Sequence, residues 1–565
     1  MKNVNLLVVT LLSTLLAVST TYGAPDRIGD FGLLDGAGRF HQFSRYRHKD
    51  ALVLMSYAAS CNAMDSLVTD FRNIQSEWEG KNVAFLLIDS ANISRSEVAM
   101  IDVGLPVLVD DGQLVSETLN IANAGEVLVL DPARLAVLYR GPIHQQLDSR
   151  LEGALADSVE DTLVIEATST CAIDYATRDL HASSIPDYAT EVAPIIAENC
   201  TTCHREGGIG PFAINSHLML QGWSPMIREV LITKRMPPEQ VDPYIGHFSN
   251  ARYMSEEDLQ TVVHWIDAGA PRGAVAIDPL SELSYPDIDA WQLGEPDYVI
   301  KGPKHEIPAT GVLDYITVDV EVPFDEDKWI RAVQFVPGDR SVLHHLLTYV
   351  TAPAEDFDGG EVDTRSIARR FLEGYAPGKI SAMEFPEDTG VFIPAGYKLS
   401  MQFHYTTNGR ETSDETLLGL YTYDEPPKYE NFTRSVSARF RIPPHALNHE
   451  VSAEYMFDQD VVVTGLRAHM HFRGKDMKFS VENPDGSMRD LLSVPAYSYA
   501  WQPTYQLDQP EFIPAGTKVY VTGAFDNSQY NPANPDPSKE LTFGLQSWDE
   551  MFIGYWTYHA AEPTN

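Results

Sequence analysis

The chain has 565 residues, enough for three to five domains of about 100–200 residues each, and its apolar content is ordinary for a globular protein. Its 80 acidic against 41 basic residues give a net charge of −39, which argues against nucleic acid and anionic membrane surfaces as partners. It favours a basic redox partner or metal cations, although general solubility explains the same excess. Four cysteines, Cys61, Cys171, Cys200 and Cys203, are too few for a disulfide scaffold of this length.

The N-terminus reads Met1-Lys2-Asn3, an apolar run over 6–18, then small residues over 19–23. That order predicts a cleavable secretory signal peptide over 1–23, and the run is short for a membrane span. No other stretch has membrane length, so the mature protein is expected to be periplasmic or secreted. Residues 24–170 alternate apolar strand-like runs (51–57 and 83–88) with a helix-like segment at 64–79. A hairpin over 125–130 and 136–139 follows, which together predicts a small α/β layer fold. Residues 185–276 turn helical, with candidate helices at 188–198, 226–233 and 255–268, the last opened by the capping signal Ser255-Glu256-Glu257. From about Pro279 onward, β-branched and aromatic residues alternate with polar ones in short runs split by Pro and Gly. This texture predicts two all-β sandwiches of jelly-roll type, 285–428 and 429–565.

Cys200-Thr201-Thr202-Cys203-His204 has the spacing for two thioethers to the vinyl groups of haem c, with the histidine as an axial ligand. Zinc would need further ligands nearby, and no second cysteine pair exists. A sixth ligand is expected at Met236, held on the stiff turn Lys234-Arg235-Met236-Pro237-Pro238, with Met219, Met226 and Met254 as competitors. Together with Asp242-Pro243, Gly246-His247-Phe248 and Arg252, the stretch resembles class I cytochrome c modules fused to redox domains in bacteria. That resemblance favours Met236.

In the β-rich half, His469 and His471 are two apart, so on a strand they share a face and can chelate one metal. His344 and His345 would point to opposite faces of a regular strand and can share an ion only at a bulge or strand end. With no cysteine in this half, imidazole, carboxylate and thioether remain as ligands. Four segments occur in order: Val342-Leu343-His344-His345, Met401-Gln402-Phe403-His404-Tyr405, Arg467-Ala468-His469-Met470-His471-Phe472-Arg473-Gly474-Lys475, and Trp548-Asp549-Glu550-Met551-Phe552-Ile553-Gly554-Tyr555. Over about 291–558 the chain thereby resembles the type II copper, ascorbate-dependent monooxygenases, the family of peptidylglycine α-hydroxylating and dopamine β-monooxygenases. The resemblance implies two copper ions. His344, His345 and His404 would hold the electron-transfer copper, and His469, His471 and Met551 the copper where O2 and substrate react. Tyr555 matches a tyrosine that follows the methionine ligand. Arg467 matches a substrate-carboxylate contact, although a surface or structural arginine fits the position equally. The animal enzymes of the family are braced by disulfides in this region, whereas residues 280–565 here contain no cysteine.

Residues 26–165 resemble the thioredoxin and peroxiredoxin superfamily. Cys61 opens a helix after the strand 51–57, where the helix dipole favours a thiolate, and Gly104-Leu105-Pro106-Val107 matches the loop expected to hold a cis proline. Cys61-Asn62-Ala63-Met64 lacks the usual second cysteine, so Cys171 is left to resolve Cys61, to bond it structurally, or to do neither. The combined reading is an exported copper monooxygenase hydroxylating a C–H bond of a small molecule or peptide with O2. Electrons would come from ascorbate or a redox protein through the covalent haem c. A copper-binding or copper-delivery protein and a thiol peroxidase acting through Cys61 are the alternatives.

Overall fold

The computed structural model describes residues 26–166, 171–238, 241–353, 370–376 and 382–563; the expected signal peptide lies outside the described residues. The strand Ala51–Tyr57 is buried along its whole length, as its unbroken apolar run requires of a central strand. It pairs parallel with Val83–Asp89 through the helix Met64–Glu77, whose buried Met64, Val68 and Phe71 recur at helical spacing. On its other side it pairs antiparallel with Val127–Asp131, which hairpins to Ala136–Gly141 ahead of the helix Gln145–Leu155. A βαβ unit followed by ββα around one central strand is the thioredoxin-like arrangement. Val107–Val109, Gly32–Asp35 and Phe40–Gln42 extend the far edge.

The two faces of this sheet are covered differently. Ala51, Val53 and Met55 pack with Met64, Val68, Phe71, Leu147 and Leu151. Their alternates Leu52 and Leu54 pack with Tyr188, Val192, Ile196, Leu220, Ile227, Val262 and Trp265, because successive strand residues face opposite sides. The helices Ala193–Asn199, His217–Ile232 and Glu256–Asp267 therefore bury one face of the α/β sheet. The expected unit 185–276 does not enclose a core of its own: the sheet's second apolar face needs a cover, and these helices supply it. Within that stretch Val241 and Phe248 leave the helices and join the core of the C-terminal sandwich. Ser249 N–H donates to Gln506 O, and Asp508 N–H donates to His247 O.

The remainder is all-β. In the first sandwich, a sheet ordered Ile316–Glu321, Lys398–Tyr405, Leu343–Thr351, Arg370–Tyr375 faces a second built around Lys328–Val336 and Leu417–Thr422. In the second, Phe432–Ser437, Ile553–Ala560, Val461–His469 and Tyr505–Ile513 form one sheet. His449–Met456, Lys518–Phe525, Gly474–Glu482 and Met488–Val494 form the other. Among the described residues no helix is long and apolar enough to cross a membrane.

Candidate functional site

Adjacent histidines on a strand diverge unless the strand is broken, and here it is. The register between Leu343–Thr351 and Lys398–Tyr405 shifts between Leu343 and His345, so His345 sits opposite His404. The extra residue at the bulge turns His344 toward the same side. Ring centroids lie 4.1 Å apart for His344–His345, 5.4 Å for His344–His404 and 6.0 Å for His345–His404. One nitrogen of each ring lies within 4.8 Å of the other two, the only such set of His, Cys, Asp or Glu atoms among the described residues. His344 Nε2 and His404 Nδ1 are buried with no hydrogen-bond partner, a costly arrangement unless something fills the space between them. Tyr315 stacks on His404 at 4.3 Å.

The second set gathers where the strand Val461–His469 ends. His469 Nδ1–H donates to Gln502 Oε1 at 2.6 Å, which fixes the tautomer and leaves Nε2 facing Met551 Sδ at 3.3 Å. His471 lies with its ring perpendicular to that of His469, centroids 5.3 Å apart. Glu550, fully buried, accepts from His471 N–H at 2.9 Å and Arg473 N–H at 2.8 Å. The buried Arg473 guanidinium lies 3.7 Å from the same carboxylate, and Met551, the next residue, is thereby pinned against the histidine turn. Tyr555 lies 6.3 Å from His469. Arg467, 8% exposed, lies 4.4 Å from the Tyr555 ring and 5.2 Å from that of Phe371.

Burial lowers His344, His404 and His469 to a pKa of about 4 and His471 to about 3, and drives His345 well below the ordinary value. All five are neutral at pH 7, the form that offers a nitrogen lone pair to a metal. In the unfolded chain they titrate near 6.5. Between that pH and about 4 the unfolded chain therefore binds protons that the folded protein excludes, and folding stability falls as pH falls. The metal-free protein is expected to lose stability from pH 7 to pH 5, read as a falling melting temperature, by at most about 1.4 kcal/mol for each group per pH unit below 6.5. A His345→Asn, His404→Asn variant should lose less; an equal or steeper slope in that variant would contradict the assignment.

Cys200 and Cys203 are free thiols on the turn that follows the helix Ala193–Asn199. His204 N–H donates to Cys200 O at 2.9 Å. His204 Nδ1–H points at Phe212 O, 3.2 Å away, leaving Nε2 available, and Phe212 stacks on Trp223 beside it at 4.2 Å. Burial pushes the Cys200 thiol up to about 12. Met236 is 40% exposed on the turn after His217–Ile232, whereas Met254, like Cys200, Phe212 and Trp223, packs against the core that the helices share with the sheet.

Cys61 and Cys171 form a disulfide across a sequence separation of 110, a bond that both a resolving and a structural partner would make. The cis proline expected at Pro106 is absent: among the described residues the cis bond is Met236–Pro237, and the carbonyl of Pro106 accepts from Leu87 N–H as part of the parallel pairing. Gln502, Glu550, Tyr315 and Tyr499 carry no motif of their own. Glu550 alone was signalled, by its place beside Met551.

No known family matches the chain, and no curated protein does. Among solved structures, a hypothetical protein from Sinorhizobium meliloti 1021 is 18% identical and covers 28% of this chain and 97% of its own, with a TM-score of 0.24. The exposed lipoprotein thioredoxin of Streptococcus pneumoniae strain TIGR4 is 21% identical, covering 23% and 99%, with a TM-score of 0.20. A peroxidoxin from Mycobacterium tuberculosis is 21% identical, covering 24% and 94%, with a TM-score of 0.19.

Proposed function

We propose that the protein is an exported copper-dependent monooxygenase that hydroxylates a C–H bond of a small molecule or peptide, with electrons entering through a covalent haem c. The observation that supports this best is the convergence of two sets of partly or fully buried donors from distant parts of the chain. His344, His345 and His404 form one set, and His469, His471 and Met551 the other. Bound there, copper would supply one-electron chemistry with O2, and haem c on Cys200 and Cys203 would supply an electron-transfer centre.

The chain's own residues set the terms. Three imidazoles with no thioether form a first set suited to changing oxidation state in place. The second set adds the soft sulfur of Met551, which favours the reduced ion, and two imidazoles leave open positions. Gln502 holds His469 in the tautomer that presents Nε2. Arg467 lies over the rings of Tyr555 and Phe371, where it would receive an anionic group of the substrate. His204 and Met236 are the residues that would hold the haem iron.

The test is composition and turnover together. Protein matured with haem and copper is expected to hold two coppers and one haem per chain and to consume oxygen only when the right substrate is added. Two bound coppers that exchange freely, with no oxygen consumption across peptides, amines and small aromatics, would favour copper delivery instead. The double substitution Cys200→Ala, Cys203→Ala is expected to lose haem on denaturing electrophoresis while keeping both coppers. Haem that survives denaturation in that variant would refute the attachment.

A second reading has its own support. Cys61 lies just ahead of the helix Met64–Glu77 in a thioredoxin-like sheet and is bonded to Cys171, the arrangement of a thiol–disulfide or peroxide-reducing centre. Peroxide or disulfide reduction lost with Cys61→Ser but kept with Met551→Ala would establish it.

A further inference from the structure

We infer that Tyr499 is a positioning residue that seats the two imidazole sets against each other across the seam between the sandwiches, a role that rests on both sets holding copper. Tyr499 belongs to the second sandwich, in the loop between Met488–Val494 and Tyr505–Ile513. Its ring nevertheless lies 4.9 Å from His344 and 5.8 Å from His345, both in the first sandwich. On its own side it lies 5.8 Å from His471 and 4.8 Å from Phe472. One ring thus touches members of both sets.

The residue is fastened at both ends. Its hydroxyl is bonded to Ser547 Oγ at 2.7 Å, and Ser547 is itself buried. Its carbonyl accepts from Gln502 Nε2 at 2.8 Å, while the other end of the same amide holds His469. Other ties cross the seam as well: Gln546 Nε2 donates to Asp314 at 3.1 Å, Phe371 packs near Tyr555 and Arg467, and Tyr429, paired with Thr389, lies 4.3 Å from His559. A rigid aromatic in this place fills the gap that would otherwise admit water between two clusters of bare nitrogens. It adds no ligand to either, so its removal leaves each donor set intact and changes their separation. The ring, rather than the hydroxyl, makes the contact with the histidines, so phenylalanine should serve.

The experiment uses the full chain loaded with Cu(II), comparing wild type, Tyr499→Phe, Tyr499→Ala and, should the alanine variant fail to fold, Tyr499→Leu. Copper per chain is measured by elemental analysis and spin–spin broadening by electron paramagnetic resonance. Wild type and Tyr499→Phe are expected to bind two coppers with mutually broadened spectra. Tyr499→Ala or Tyr499→Leu should bind two with the broadening lost. Broadening retained in the alanine or leucine variant, or lost in the phenylalanine variant, overturns the positioning role. Two coppers without broadening in wild type overturn the closed seam and leave the copper reading standing. A wild type that binds no copper overturns that reading and the role of Tyr499 with it.

Discussion

Substituting Met551 by alanine is expected to reduce bound copper from two per chain to one and to lower substrate-dependent oxygen consumption at least about a hundred-fold. Removing even an outer-shell partner of a metal site commonly costs 10–100-fold, and Met551 is placed as a direct donor. Its sulfur faces His469 Nε2 at 3.3 Å, and Glu550, one residue before it, is locked to the backbone of His471 and Arg473. The loop should therefore keep its course in the variant, so the loss reports the thioether. His345→Ala provides the converse, emptying the first set while the second retains its ion. Full oxygen consumption by Met551→Ala would mean that the chemistry happens elsewhere. Equal loss of both ions in either variant would mean that the sets are one cooperative site.

Cys61→Ser is expected to destabilise the α/β part by about 2–5 kcal/mol, the usual cost of losing a native disulfide, with long loops at the upper end. The bond to Cys171 closes a loop of sequence separation 110, and Cys61 is 5% exposed within the apolar layer of Met64, Val68 and Phe71. Denaturant unfolding of the full chain, followed by a probe of the α/β part, should show the midpoint falling for that transition alone. An unchanged midpoint would show that the cross-link contributes no stability and shift weight to a thiol that cycles. Retained copper and oxygen consumption in the same variant would separate this disulfide from the metal chemistry.

What could be read from the sequence follows from how local each signal is. The strand Ala51–Tyr57 and the helix Met64–Glu77 are legible because their apolar residues recur at the period of their own backbone. His469 and His471 are legible as a pair because two residues apart on a strand means one face. His344 and His345 pose a condition rather than an answer: they need a bulge, and the register shift beside Leu343 supplies it. Gln502 and Tyr499 were not legible, since each acts through a partner some 30 residues or more away that only the fold brings near. The apolar helices of 185–276 show that they need cover, but nothing local says that a sheet's second face is the surface they share.

The segment around Phe248 has a consequence for how the chain is made. Asn250 bonds to Thr504 and Gln506, at sequence separations of 254 and 256, and Asp242 is buried against Arg95 while its N–H donates to Ser493 O. An exported chain crosses the membrane N-terminus first, so the strand that receives this segment arrives last, at sequence separations of 254 and 256 from Asn250. Until then Val241 and Phe248 have no core to enter. This junction therefore closes only once the C-terminal sandwich is present, and a chain truncated before Thr504 leaves Val241 and Phe248 without their core.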